Sequence, residues 1–252
     1  MSIPRILIVA GSDSGGGAGI QADIKTVTAL GGHAMTAITA ITAQNTLGVQ
    51  AVHTVPAEMV VAQIDSVVSD IGVDAVKIGM IGSAAIAHAV ADRLEALGGV
   101  PIVFDPVMVA TSGSVLADAG TIAAFERLMR VASLVTPNLP ELEALGGEER
   151  VLELAPAVLV KGGHGEGSRV VDRLVTRKDE RSWMGPRIDT QHTHGTGCTL
   201  ASGIAAGLGA GLSLEDAVER AIAFVRAALA AAPGLGKGHG PMGQGLVRDA
   251  GL

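Results

Sequence analysis

Aromatic side chains are almost absent from the 252 residues: three phenylalanines, one tryptophan and no tyrosine. That scarcity excludes recognition built on stacked aromatic platforms, such as non-specific binding of single-stranded nucleic acid. Charge points the same way, because the formal net charge is −7. No Lys/Arg-rich run offsets it locally, and a diffuse acidic balance does not attract a polyphosphate backbone. Nucleic acid is therefore not an expected partner. One cysteine, Cys198, cannot close an internal disulfide, so the chain carries no oxidising-compartment framework and reads as cytoplasmic. Long apolar runs are also lacking. Residues 26–57 contain no Asp, Glu, Lys or Arg, but they are threaded with Thr, Gln, Asn, His and Gly. A spanning helix needs about 20 mostly apolar residues, so no membrane association is expected.

What is abundant is aliphatic residues and glycine: 48% of residues are hydrophobic and 35 are glycine. Short β-branched runs alternate with longer helical patterns, the signature of βα units around a mainly parallel sheet flanked by helices on both faces. The runs at 5–11, 33–42, 49–55, 74–80, 101–107, 134–138 and 157–163 read as strands, and residues 18–30 as a helix. Near the end, 169–176 and 180–188 read as an antiparallel pair followed by two helices. The last helix starts at an N-cap Ser213 and buries Leu214, Val218, Ile222, Val225 and Leu229 against a sheet. No linker or repeat divides the chain, which predicts one domain.

Ligands of such sheets bind beyond the carboxyl ends of the strands. Those ends carry "GSDSGGGAG" (11–19), "DPV" (105–107), "TPNLPE" (136–141) and "KGGHG" (161–165). The glycines of the first do not fit G-x-G-x-x-G, and no G-x-x-x-x-G-K-[ST] exists, so a nicotinamide dehydrogenase and a P-loop enzyme are poor readings. "HGTGC" (194–198) places Gly195, Thr196 and Gly197 where a helix begins. Their N–H groups lack intrahelical partners and can point at one anion. A transferring phosphoryl group would be stabilised there, and the positive helix end is expected to depress the Cys198 thiol and make it a base. "TPNLPE" reads either as a helix entry, with Pro140 early in the helix and Glu141 favoured by the dipole, or as a source of Glu141 that joins Asp105 around a hydrated Mg2+, which needs only one or two protein carboxylates. Lys161 either snorkels to solvent or supplies charge to a phosphate. His192, His194 and Cys198 match no zinc spacing and make three ligands where a closed site needs four.

In order and spacing, "AGSDSGGGAGIQADIKT", "TAITAQNTLGVQ", "VKIGM", "DPVM", "TPNLPE", "VLVKGGH", "THGTGCT" and "GKGHGP" resemble the hydroxymethylpyrimidine/phosphomethylpyrimidine kinases of thiamine biosynthesis. The resemblance spans nearly the whole chain and implies a ribokinase-like α/β fold, often a homodimer. It implies transfer of the ATP γ-phosphate, with Mg2+, to 4-amino-5-hydroxymethyl-2-methylpyrimidine and then to its monophosphate. By motif, Gln44 would read the aminopyrimidine and Asp23 would fix polar groups of the substrate. Gly11, Ala18, Met80 and Val107 would form the pocket walls. Lys161, Asn138 and Thr196 would serve the nucleotide, Asp105 and Glu141 the magnesium, and Gly195 to Cys198 the anion hole. The wider superfamily usually has an aspartate base where Cys198 stands.

Two departures stand out. The crossover between Gly147 and Ala157 is shorter than the family norm, which predicts less cover on one sheet face. After "GHGP" the chain reads "MGQGLVRD" where a histidine is common, and that tail has no evident role. A pyridoxal kinase on the same scaffold is the first rival activity, and a non-catalytic vitamin- or nucleotide-binding protein the second.

Overall fold

A nine-stranded sheet organises the chain in the computed structural model, which describes residues 3–164 and 167–247. Its strands are β1 (Arg5–Asp13), β2 (His33–Asn45), β3 (Gly48–Thr54), β4 (Ala75–Ile78), β5 (Ile102–Phe104), β6 (Leu134–Val135), β7 (Ala157–Val160), β8 (Arg169–Thr176) and β9 (Glu180–Pro186). They lie in the order β3-β2-β1-β4-β5-β6-β7-β8-β9. Neighbours from β2 to β7 are parallel, while β3, β8 and β9 add antiparallel edges. The central strands are almost wholly apolar, Lys77 on β4 being the exception, because helices cover both faces and neither side of the pleat meets water.

On one face lie α2 (Ala57–Asp70), α3 (Ala84–Leu97), α4 (Ala119–Val131) and α6 (Gly147–Leu154), gathered on Leu7, Val76, Phe104 and Val158. The shortened crossover still forms α6 and buries Val151 and Leu154, so that face keeps its cover, contrary to the expectation from its length. The other face carries α1 (Gly19–Ala29), α7 (Thr196–Gly209) and α8 (Leu214–Ala230) over Ile6, Ile8 and Leu159. Between β6 and α6 sits the short α5 (Leu139–Ala144).

The α8 face differs from the one expected. Ala217, Val218, Ala221, Phe224 and Ala228 are buried, and they meet α7 rather than the sheet. A Cβ at Gly203 would lie 3.0 Å from the Ala221 Cβ, and one at Gly207 2.8 Å from the Ala217 Cβ, so small residues on both helices set a close crossing. Alanine contributes little to a hydrophobicity count, and the larger side chains beside it drew the predicted stripe sideways. Most parallel strands are also shorter than their apolar runs. Residues past Ile78, Phe104, Val135 and Val160 leave the ladder to form the loops that carry the chemistry. No helix among the described residues is long and apolar enough to cross a membrane.

Candidate active site

The start of α7 is built on backbone contact. Gly195 has φ +90, and a Cβ on it would lie 2.0 Å from the Gly17 carbonyl oxygen. Likewise a Cβ on Gly17 would lie 2.5 Å from the His194 ring, and one on Gly19 2.4 Å from the Gly11 oxygen. The glycines of "GSDSGGGAG" thus let the β1–α1 loop press against the "HGTG" turn. No side chain caps α7, and its first turn holds no acid. Thr196 N–H reaches back to the Thr193 oxygen at 3.3 Å, whereas the N–H groups of Gly195, Gly197 and Cys198 have no acceptor among the described residues. Those unengaged donors at a helix N-terminus have the arrangement expected of an anion hole.

Cys198 departs from expectation. Burial pushes its thiol up, and the Lys77 charge pulls it down. The Asp23 and Asp105 charges push it up again, and a hydrogen bond from the Gly19 N–H draws it down. The net result is a thiol raised to about 11 rather than depressed. Desolvation outweighs the helix end because the thiol faces two carboxylates as well as one ammonium.

Asp23 is likewise displaced from the substrate role expected of it. Its side chain and that of Lys77 are both fully buried, with Lys77 Nζ donating to Oδ2 at 2.8 Å. Ser202 Oγ donates to Oδ1 at 2.5 Å. Both carboxylate oxygens are engaged inside the protein, beneath the anion hole. Burial raises the Asp23 carboxyl, against the pull of Lys77. In "AVKI" the lysine interrupts an otherwise apolar central strand, and a charge there requires a buried partner. That interruption was the available sequence signal.

Around the α7 N-terminus, a second lysine gathers the other two carboxylates. Lys161 Nζ donates to Asp105 Oδ1 at 2.7 Å and lies 3.7 Å from Glu141 Oε2. Thr136 Oγ1 donates to the same Asp105 oxygen at 3.2 Å. A Cβ on Gly197 would stand 3.3 Å from Lys161 Nζ and 3.4 Å from Asp105 Oδ2, so this group abuts the anion hole. Glu141 closes a capping box: Asn138 N–H donates to its Oε2 at 2.8 Å, and Asn138 Oδ1 accepts from Glu141 N–H at 2.9 Å. Burial raises the Glu141 carboxyl, the Lys161 charge opposes this, and the Asp105 charge adds to the rise. Asn138 therefore spends its carbonyl on the helix, leaving only its amide N–H groups for a nucleotide.

Across the loop from β1, Gln44 ends β2 half-buried beside His194. Asp13 accepts from the N–H groups of Gly15, Gly17 and Ala18 at 2.8, 3.0 and 2.8 Å. Its Oδ2 also lies 2.9 Å from His194 Nε2. Burial raises the Asp13 carboxyl, but the His194 hydrogen bond and the backbone donors together leave it lowered. A carboxylate at that distance requires the proton on Nε2. Gln44 Nε2 lies 3.1 Å from the same nitrogen, so with that proton in place the amide is satisfied by a half-turn that brings its oxygen to the ring. Thr42 Oγ1 stands 3.2 Å from Gln44 Oε1 and also reaches the Ser12 oxygen at 3.0 Å; after the half-turn it would face the NH2 and keep its hydroxyl on Ser12. One amide N–H and one oxygen lone pair remain for a ligand. His194 has 8% exposure and bonds to Asp13, which places it in the wall beside Gln44 and the β1–α1 loop, a position that its spacing to other possible metal ligands did not signal. No group of three metal-ligating His, Cys, Asp or Glu side chains occurs among the described residues, which sets aside the His192, His194, Cys198 reading.

The remaining predicted wall residues sit at strand ends. A Cβ on Gly11 would lie 2.9 Å from Met80 Sδ, so a larger residue there would displace Met80. Met80 accepts from Thr39 Oγ1 through its carbonyl at 2.6 Å. Ala18 precedes α1, and Val107 follows β5 with its N–H on the Asp105 oxygen at 2.8 Å.

A family model described as phosphomethylpyrimidine kinase matches residues 13–243. The chain is 47% identical to the hydroxymethylpyrimidine/phosphomethylpyrimidine kinase of Streptomyces coelicolor, covering 96% of this chain and 94% of that one. It is 46% identical to a thiamine biosynthesis bifunctional protein of Geobacter sulfurreducens, covering 97% of this chain but spanning only 53% of the relative's length. Among solved structures it is similar to an ADP complex of Bacillus subtilis pyridoxal kinase, with a TM-score of 0.88, 31% identity and coverage of 96% and 97%.

Proposed function

Since the chain belongs to the phosphomethylpyrimidine kinase family, we propose that it transfers the ATP γ-phosphate to 4-amino-5-hydroxymethyl-2-methylpyrimidine and then to the resulting monophosphate, supplying the diphosphate for thiamine biosynthesis. The observation that carries the substrate choice is the Gln44 amide, turned by His194 and Thr42 so that one donor and one acceptor face outward. An aminopyrimidine offers the complementary pair in its exocyclic amine and ring nitrogen. Identity supports the same choice over pyridoxal, at 47% to the Streptomyces pyrimidine kinase against 31% to the pyridoxal kinase.

The acceptor hydroxymethyl group would lie between Gln44 and the turn at Gly195 to Cys198. There the free N–H groups and Lys161 meet charge on the transferring phosphoryl oxygens, as preorganised donors do in phosphoryl transfer generally. Mg2+ bound with ATP would neutralise phosphate charge at this end of the site. Asp105 fits it through Oδ2, since only Oδ1 is engaged by Lys161 and Thr136. Glu141, held by the Asn138 N–H, would act through a coordinated water. Cys198, a neutral thiol at physiological pH by its raised ionisation, holds the acceptor hydroxyl. Its sulfur accepts a hydrogen bond from that hydroxyl, whose proton leaves late to an oxygen of the transferring phosphoryl group, while positioning and electrostatics carry most of the rate. The reading includes a cytoplasmic homodimer.

Gln44→Ala tests the assignment. Losing a donor and acceptor pair to the pyrimidine is expected to raise its KM by roughly tenfold to a hundredfold, on about 1.5–3 kcal/mol for two hydrogen bonds, and to leave the ATP KM alone. An unchanged pyrimidine KM would remove Gln44 from recognition and with it the case against pyridoxal.

A further inference from the structure

The stretch from Gly240 to Gln244 enters no step of this chemistry, yet it touches both ends of the anion hole. Ahead of the hole, His194 N–H donates to the Gly240 oxygen at 3.2 Å, and His194 and Pro241 form an isolated parallel bridge. Behind it, Gln244 Nε2 donates to Thr199 Oγ1 at 3.1 Å. Thr199 follows Cys198 directly, and its N–H donates to the Gly195 oxygen at 2.9 Å. Residues 240–244 therefore clamp the segment before Gly195 and the residue after Cys198.

The clamp is itself anchored. Met242 is 3% exposed, and Gly243 N–H donates to the Ala228 oxygen of α8 at 2.9 Å. A Cβ at Gly243 would fall 2.2 Å from the Ala231 oxygen, so this close approach to α8 admits glycine alone. Just upstream, the Lys237 and Gly238 N–H groups donate to Thr46 Oγ1 at 3.2 and 3.3 Å, tying the same stretch to the turn that follows Gln44.

Gln244 is an odd choice for core filling. It is fully buried, and its Oε1 has no hydrogen-bond partner among the described residues. An apolar side chain of similar length would avoid that loss, since a half-satisfied buried amide is worse than none. Among the described residues its side chain bonds to the residue behind the Cys198 turn. We infer that Gln244 is a positioning residue for the phosphoryl-transfer step, acting through Thr199 to hold the Gly195–Cys198 turn at its working spacing from Gln44. This rests on the kinase reading for its effect on turnover, though not for its effect on the turn.

Two readouts separate those dependencies. Gln244→Met, which keeps volume and drops the hydrogen bond, is expected to lower kcat about tenfold with the KM for pyrimidine and ATP within twofold, the scale of a displaced catalytic turn. Thr199→Val is expected to match it, and the double variant to be no worse than either single one, because both break the same bond. Thr199→Ser keeps the hydroxyl and is expected to keep kcat. Independently of turnover, iodoacetamide labelling of the lone thiol, followed by intact mass, is expected to change in rate at least threefold in Gln244→Met and not in Thr199→Ser. If wild type turns over none of the pyrimidines, the kinase reading fails and the labelling rate alone decides the positioning claim. Additive losses, or a labelling rate equal to wild type in Gln244→Met, would overturn it and leave Gln244 as core filling.

Discussion

Replacing Lys77 by methionine tests the buried pair beneath the anion hole. Both side chains are fully buried, the Nζ to Oδ2 distance is 2.8 Å, and the other carboxylate oxygen accepts from Ser202. Removing the lysine leaves Asp23 without its counter-charge in a site closed to water. Breaking one side of such a pair costs about 3–5 kcal/mol, whereas replacing both sides by apolar residues of similar volume is often neutral. At ~2–4 °C per kcal/mol for a chain of this size, Lys77→Met should melt roughly 6–20 °C below wild type. Asp23→Leu combined with Lys77→Met should recover most of that loss. A pH dependence follows with a definite sign. Burial already raises the Asp23 carboxyl, with Lys77 the largest opposing influence, so in Lys77→Met its folded pKa lies well above the unfolded value of about 3.9. The deficit of the variant against wild type is then smallest near that unfolded value. It grows as pH rises through the raised folded pKa. Urea unfolding followed by circular dichroism at several pH values, with thermal melts alongside, measures both. A single variant within ~1 kcal/mol of wild type, or a double variant as unstable as the single one, would refute the reasoning.

Other outcomes follow from the same geometry. Cys198→Ala should lower kcat by roughly 10^2, the scale of a misplaced acceptor hydroxyl, with little change in either KM; an unchanged kcat would make the thiol packing only. Iodoacetamide should label wild-type Cys198 slowly at pH 7.5 and progressively faster toward pH 11, as the raised thiol ionises; fast labelling at neutral pH would contradict the raised value. Asp13 is lowered in the fold by His194 and its backbone donors. Its contribution to stability is complete above the unfolded value of about 3.9 and is lost as pH falls through the lower folded value. Asp13→Asn should therefore show a shallower loss of stability below pH 4 than wild type in acid unfolding, and identical slopes would oppose the assignment.

The strand ends were legible because the physics that makes them was local. Aliphatic runs marked β1, β4, β5 and β7, and the glycines, prolines and charges after them marked where each chain leaves the sheet. The placement of Lys161, Asp105 and Glu141 at one end followed from that pattern and the rule for open α/β sheets. Long-range pairing was not legible. Nothing near Asp23 in the sequence says that its partners are Lys77 on β4 and Ser202 on α7, so a carboxylate one turn into a helix read as a ligand. His194 met Asp13 across 181 positions, and only the fold brings the two loops together. The direction of the Cys198 shift failed for a related reason. A helix N-terminus can be read locally, whereas Asp23 and Asp105 arrive from elsewhere in the sheet. The role of the crossover was misjudged by length, because its short helix still buries Val151 and Leu154 in the core of that face.

The most direct test of the central claim is ADP release from ATP and Mg2+ with three acceptors offered separately: the hydroxymethylpyrimidine, its monophosphate and pyridoxal, with products identified by mass. The account predicts turnover of both pyrimidines, ending in the diphosphate, and a kcat/KM for the hydroxymethylpyrimidine well above that for pyridoxal. Preference for pyridoxal, or release of ADP with none of the three, would contradict it.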